Sequence, residues 1–93
     1  MEILHKDDGK KGAFYVEQHG IQVAEMTYVW AGATKIIIDH TEVDESLKGL
    51  GVGKQLVEKA VMMAREKGLK IVPLCPFANA TFKRMKEWQD VVN

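Results

Sequence analysis

The hydrophobic pattern of this chain changes period once, and the change falls on a run of glycines. Up to Val43 the apolar residues alternate as they do in half-buried strands, most clearly at Ala24, Met26, Tyr28 and Trp30. From Leu50 to Lys67 they recur at helical spacing, at Leu50, Leu56, Val57, Ala60, Val61 and Ala64. Between the two lie Gly49, Gly51 and Gly53. A strand-rich half followed by a helical half within 93 residues restricts the chain to one small α+β domain, residues 1–93.

Turn residues divide the first half into a meander. Residues 2–6 read as a first strand, closed by Asp8-Gly9 and Gly12. Residues 13–18 read as a second, and His19-Gly20 as a hairpin turn. Residues 21–30 form the third. Residues 34–43 form the fourth, with Ile36, Ile38, His40 and Glu42 on one face. The long helix spans 50–67, with Arg65 and Lys67 in its last turn and Gly68 as its stop. Residues 69–74 make a short buried fifth strand, and a second helix runs over about 76–87 with Pro76 at its first position. Four antiparallel strands and one helical return set the fifth strand parallel to the fourth, through a right-handed crossover. The carboxyl ends of strands four and five then lie side by side, where open sheets bind ligands.

Composition excludes several classes. Thirteen basic residues balance thirteen acidic ones, so no net-basic footprint for nucleic acid exists. No apolar run approaches the roughly 18 residues of a membrane span, and the first residues do not read as a secretory signal. The single cysteine, Cys75, excludes an internal disulfide and a Cys-rich zinc site. His5 and His19 have no ligand partner at metal-binding spacing. A cytoplasmic protein without a metal is expected.

Alternate glycines at a strand-to-helix junction leave backbone N–H groups bare, and with the helix dipole they suit phosphate oxygens. Lys48 and Lys54 add charge on either side. Neither the dinucleotide fingerprint nor the P-loop fits, since Gly51-x-Gly53 runs on to Leu56 and Gly53-Lys54 to Gln55. The glycines alone fit a plain turn equally well.

The run Lys48-Gly49-Leu50-Gly51-Val52-Gly53-Lys54 resembles the acetyl-CoA loop of the GNAT N-acetyltransferases, [QR]-x-x-G-x-[GA], with Lys48 in place of Gln or Arg. Thr41-x-Val43 before it and Ala64-Arg65-x-x-Gly68 after it agree, and Ile71 to Phe77 resembles the small single-domain branch of that family. The resemblance implies that the fourth and fifth strands splay, with the pantetheine arm pairing near Thr41 and Val43. The pyrophosphate would rest on Lys48, Gly49, Leu50, Gly51, Val52, Gly53 and Lys54. Pro76, Asn79 and Lys83 on the second helix complete the expected coenzyme A contacts. Lys83, Arg84 and Lys86 read either as a solvated face or as a contact for the 3′-phosphate. In that branch a histidine on the fourth strand and a cysteine after the fifth mark the active site; here these are His40 and Cys75. The helices that wall the acceptor site in larger members have no counterpart, and the last helix offers no tyrosine as an acid.

The residues lead to the same pair. His40 and Cys75 stand near the ends of neighbouring strands and are expected to face one cleft. Cys75 caps a helix, where the dipole favours a thiolate. Either the thiol attacks the thioester and passes acetyl on, or His40 takes a proton from a bound amine while Cys75 protonates the leaving thiol. Glu42 is an alternative base, and Asp39 points the wrong way to orient His40. The expected activity is transfer of acetyl from acetyl-CoA to a primary amine of a small molecule or a protein lysine. A coenzyme A-binding or interaction module without turnover is the first rival, and a thiol-dependent hydrolase the second.

Overall fold

The computed structural model describes residues 1–93. Strands β1 (Leu4–Asp7), β2 (Lys11–Gln18), β3 (Ile21–Trp30) and β4 (Lys35–Val43) form an antiparallel meander. Helix α1 (Val52–Lys67) returns the chain to β5 (Lys70–Pro73), which runs parallel to β4, and α2 (Pro76–Arg84) follows. The sheet order is β1-β2-β3-β4-β5, as the pattern of periods requires.

Most boundaries differ from the expected ones by a residue or two, for local reasons. The β1–β2 strands run into their turn because Asp8 Oδ1 accepts the N–H groups of both Lys10 and Lys11. Helix α1 starts at Val52 rather than at residue 50. Gly49 and Gly51 hold φ of +84° and +73°, a left-handed conformation that a helix cannot contain. Helix α2 stops at Arg84 rather than at 87, and a 3₁₀ segment, Lys86–Val91, follows. The tail then joins the sheet edge: Val92 bridges Ile71, and the Asn93 N–H donates to the Ile71 carbonyl.

One side of the sheet carries the core. Phe14, Val16, Ala24, Met26, Tyr28, Ile36, Ile38 and Ile71 pack against Leu56, Val57, Ala60, Val61 and Ala64 of α1 and Ala78 and Phe82 of α2. Met63 is buried and Met62 exposed, and Trp88 is buried while Trp30 is half-buried, in line with the residues' chemistry.

The fourth strand corrects one expectation. Pairing steps from Thr27↔His40 to Tyr28↔Ile38, so Asp39 is an extra residue in β4. Such a bulge reverses the facing of everything beyond it. Thr41 and Val43, paired with Met26 and Ala24, therefore continue the core face of Ile36 and Ile38. His40 and Glu42, paired with Thr27 and Glu25, fall on the opposite face, not beside Ile36 and Ile38.

Candidate active site

Strands β4 and β5 part early. Their pairing ends at Ile38↔Pro73, where the Ile38 carbonyl accepts the N–H groups of both Leu74 and Cys75. From His40 to Val43, β4 keeps its β3 partner on one edge and has none on the other. Beyond this bare edge, a 3₁₀ turn at Glu45–Leu47 is capped by Asp44, whose carboxylate accepts from the Ser46 N–H. The chain then enters the glycine loop.

A cleft of about 470 Å³ opens here. Its walls are Thr41, Val43, Lys48, Gly49, Gly51, Val52, Gly53 and Lys54, joined by Leu47, Phe77 and Arg84. The amide N–H groups of Gly49, Gly51, Val52, Gly53 and Lys54 donate to no acceptor in the chain. A helix N-terminus always frees amides, and the left-handed glycines before this one extend the set. Gly53 is buried under the Phe77 ring, and a Cβ there would meet the ring at 2.4 Å. The Lys48 ammonium pairs with Glu45 at 2.8 Å, and Lys54 and Arg84 add two further cations. The cleft thus offers donors and positive charge at one end and a strand edge at the other.

The four other residues expected to hold the ligand lie off these walls. Leu50 in the loop and Pro76 at the start of α2 are both exposed and form no part of the lining. Asn79 donates to the Pro73 carbonyl at 3.4 Å, and Lys83 is exposed one position short of the cleft. Arg84 lines it instead, along with Phe77. The signal was present in the sequence: Phe77 and Arg84 are seven residues apart, which puts them on one helix face, whereas Lys83 sits about 100° round from Arg84.

His40 and Cys75 are not brought into contact. The Cys75 thiol is only 5% exposed, on the core side, where Sγ lies 3.3 Å from Thr41 Oγ1 and accepts the Ala78 N–H at 3.4 Å. It caps α2 as the sequence led one to expect, with Pro76 at the first helical position. The exposed His40 ring lies on the other face, with Nε2 3.9 Å from the Glu42 carboxylate. Asp39 accepts a hydrogen bond of 2.6 Å from the Thr27 hydroxyl. Along this stretch β4 has no neighbour on its β5 side, so the bare edge runs between the face that carries Thr41 and Val43 and the face that carries His40. No group of three or more His, Cys, Asp or Glu side chains is arranged to hold a metal ion. No helix is long and apolar enough to cross a membrane.

A family model described as GCN5-related N-acetyl-transferase matches residues 13–91. The chain belongs to the GCN5-related N-acetyltransferases. The solution structure of a GCN5-like candidate N-acetyltransferase from Staphylococcus aureus is 39% identical, with a TM-score of 0.76, covering 99% of this chain and 87% of that one. Two larger structures share the fold at lower identity. A ribosomal-protein-alanine N-acetyltransferase from Brucella melitensis is 20% identical, with a TM-score of 0.66 over 84% of this chain and 62% of that one. An aminoglycoside acetyltransferase from an uncultured soil metagenomic sample is 16% identical, with a TM-score of 0.62 over 89% and 59%. This chain therefore spans about three-fifths of the length of these two enzymes. Among curated proteins, no significant match exists. Acetyl-CoA is the acyl donor of the GCN5-related family, whereas the acceptors named for these two relatives differ, so the shared fold does not itself choose the acceptor.

Proposed function

We propose that residues 1–93 form one minimal acetyl-CoA-dependent N-acetyltransferase domain that moves an acetyl group to a primary amine. The observation that carries this reading is the set of acceptor-less amides at Gly49, Gly51, Val52, Gly53 and Lys54, set at the mouth of a cleft whose other wall is an unpaired strand edge. The donor set fits the ligand. A diphosphate supplies the acceptors those amides lack, with Lys48, Lys54 and Arg84 to balance its charge. A pantetheine arm carries amides that can pair with the bare backbone at Thr41 and Val43. Bound acetyl-CoA would supply an activated acyl carbon and a thiol leaving group.

The chain's own residues then have separate tasks. The loop amides fix the phosphates, and the β4 edge aligns the arm so that its end reaches the bulge at Asp39. His40, open to solvent beside Glu42, takes the proton that the amine nitrogen gives up as nitrogen bonds to the acyl carbon and the carbon–sulfur bond breaks. The released thiolate regains a proton from water. This route is direct. An acetyl-cysteine route has less support, because Cys75 is buried and has Thr41 rather than a histidine beside it. The same observation weighs against a thiol hydrolase.

A module that binds coenzyme A without turnover remains the rival reading, favoured by an α2 that turns Phe77 to the cleft, buries Phe82 and has no tyrosine hydroxyl. The test joins binding to turnover. Coenzyme A should raise the melting temperature, since a ligand that binds only the folded state stabilises it. Gly53→Glu should abolish that rise. His40→Ala should keep the rise and lose about 10²–10⁴-fold in turnover, while Cys75→Ala should keep both. A flat melting curve at millimolar coenzyme A overturns the reading; binding without transfer to any amine supports the rival.

A further inference from the structure

Both helices pack on one side of the sheet, and the other side has no cover. Facing outward on that side are Tyr15, Glu25, Thr27, Val29, Ile37, His40 and Glu42, all at least partly exposed. A cleft of about 500 Å³ crosses it, lined by Glu25, Thr27 and Asp39 and edged by Lys6, Asp7, Asp8 and Lys11. A second, of about 290 Å³, shares Glu25 and continues along Glu42, Asp44 and Glu45. Together the two clefts are lined by seven carboxylates and two lysines. The whole chain has no net charge, so this is segregation of charge, with Lys54 and Arg84 at the other cleft and only the Lys48–Glu45 pair, at 2.8 Å, joining the two. Lys6 is partly engaged, its ammonium 4.9 Å above the Tyr15 ring, whereas Glu25 has neither an ion-pair nor a hydrogen-bond partner. His40 stands beside the acidic strip, its Nε2 3.9 Å from the Glu42 carboxylate.

We infer that this bare sheet face is the docking surface for the acceptor, and that the acceptor is a lysine in an extended, basic segment of another protein. The inference rests on the transferase reading above. Charge complementarity selects a cationic partner. Shape selects a polypeptide over a free polyamine. Small molecules are held in one concave site that buries most of their surface, whereas the carboxylates here are spread over two open clefts that share only Glu25. An uncovered, gently twisted face suits a partner that brings its own bulk and lies along the strands. Arginines or lysines flanking the target lysine would meet Glu25, Glu42 and Asp44, while the target amine reaches His40 at the bulge.

The test uses the isotope-labelled protein with saturating coenzyme A, followed by NMR during three titrations: a lysine peptide flanked by arginines, the same peptide flanked by glutamates, and spermidine. The arginine-flanked peptide should shift the amides of Glu25, Thr27, His40 and Glu42 and bind about tenfold or more tighter than the other two. Raised salt should weaken that binding, because the charges are exposed. Glu25→Lys should remove the preference and leave the coenzyme A melting shift intact, which reports the fold and the other cleft. Shifts confined to other residues, equal binding of the glutamate peptide, or equal binding of spermidine each overturn the inference. Docking of the arginine peptide on this face without acetyl transfer to any amine leaves the surface standing and removes the transferase reading. Transfer to amines with no docking here does the reverse.

Discussion

At the scale of residues, the Asp7 carboxylate gathers the polar contacts at the β1 end of the sheet. It accepts from the Tyr28 hydroxyl at 2.5 Å, from Trp30 Nε1 at 3.0 Å and from the Gly9 N–H at 2.7 Å. Since the Tyr28 proton goes to Asp7, His5 Nε2, at 2.7 Å from the same hydroxyl, is the donor and carries its proton there. The His5 ring stacks on Phe14 at 4.2 Å between centroids. Burial pushes the Tyr28 phenol up, and the Asp7 charge adds to it. Burial also pushes Asp7 up, but the hydrogen bonds from Tyr28, Gly9 and Trp30 together outweigh it and hold the carboxyl below its ordinary value. Burial lowers His5, with the Asp7 charge opposing and Lys67 assisting. Both folded values lie below the unfolded ones, so both groups give stability that is present at neutral pH and lost in acid. For His5 the loss starts as pH falls through 6.5, where the unfolded chain takes up a proton first; for Asp7 it starts near 3.8. Urea melts across pH 2–8 should therefore show stability declining from about pH 6.5 downward. His5→Phe, which keeps the stack on Phe14, should flatten that upper part and leave the fall below pH 4. A pH profile unchanged by His5→Phe would place the acid sensitivity elsewhere.

At the scale of elements, the segment after α2 is part of the fold rather than a loose end. Trp88 is buried and packs edge-on to Phe82 at 6.1 Å. Arg65 of α1 grips Asp90 through two hydrogen bonds of 3.0 and 2.8 Å, and Lys70 Nζ donates to the Asp90 carbonyl. The ion pair is exposed, and exposed pairs contribute little; the indole carries the attachment. Trp88→Ala should cost about 3–5 kcal/mol in urea denaturation, the usual range for emptying an aromatic core site. Arg65→Met should cost far less and should remove the salt sensitivity of the attachment. The reverse ranking would mean that polar contacts hold the tail. Element order, the parallel β4–β5 pair, the glycine loop and the Cys75 cap were all legible in the sequence, because each follows from periodicity or from one residue's conformational needs. The facing of His40 was not. Ile36, Ile38, His40 and Glu42 alternate without interruption in the sequence, and the extra residue at Asp39 exists only in the pairing with β3. The 3₁₀ tail was also hidden, since Lys86 to Val91 shows neither period cleanly.

At the scale of the whole molecule, rigidity and ligand readiness are in different places. β3 is hydrogen-bonded to β2 on one side and β4 on the other, and α1 lies over it with Leu56, Val57, Ala60 and Val61 fully buried. Opening any of these elements breaks the single core, so their amides should exchange with solvent only through global unfolding. With at least about 5–6 kcal/mol of stability, as is usual for such a domain, that slows them by about 10⁴-fold or more. The amides of Gly49, Gly51, Val52, Gly53 and Lys54 and the free edge of β4 have no acceptors to lose, and they should exchange fast in the free protein. A bound diphosphate supplies those acceptors. Coenzyme A should therefore act on hydrogen exchange in two ways: a uniform slowing of the core by the binding free energy, and an added, local slowing at residues 49–54 and at Thr41 and Val43. The two are separable, because Gly53→Glu should abolish the local effect and, with it, most of the uniform one. A uniform slowing with no local excess over the glycine loop would show that coenzyme A binds somewhere other than the cleft between β4 and β5.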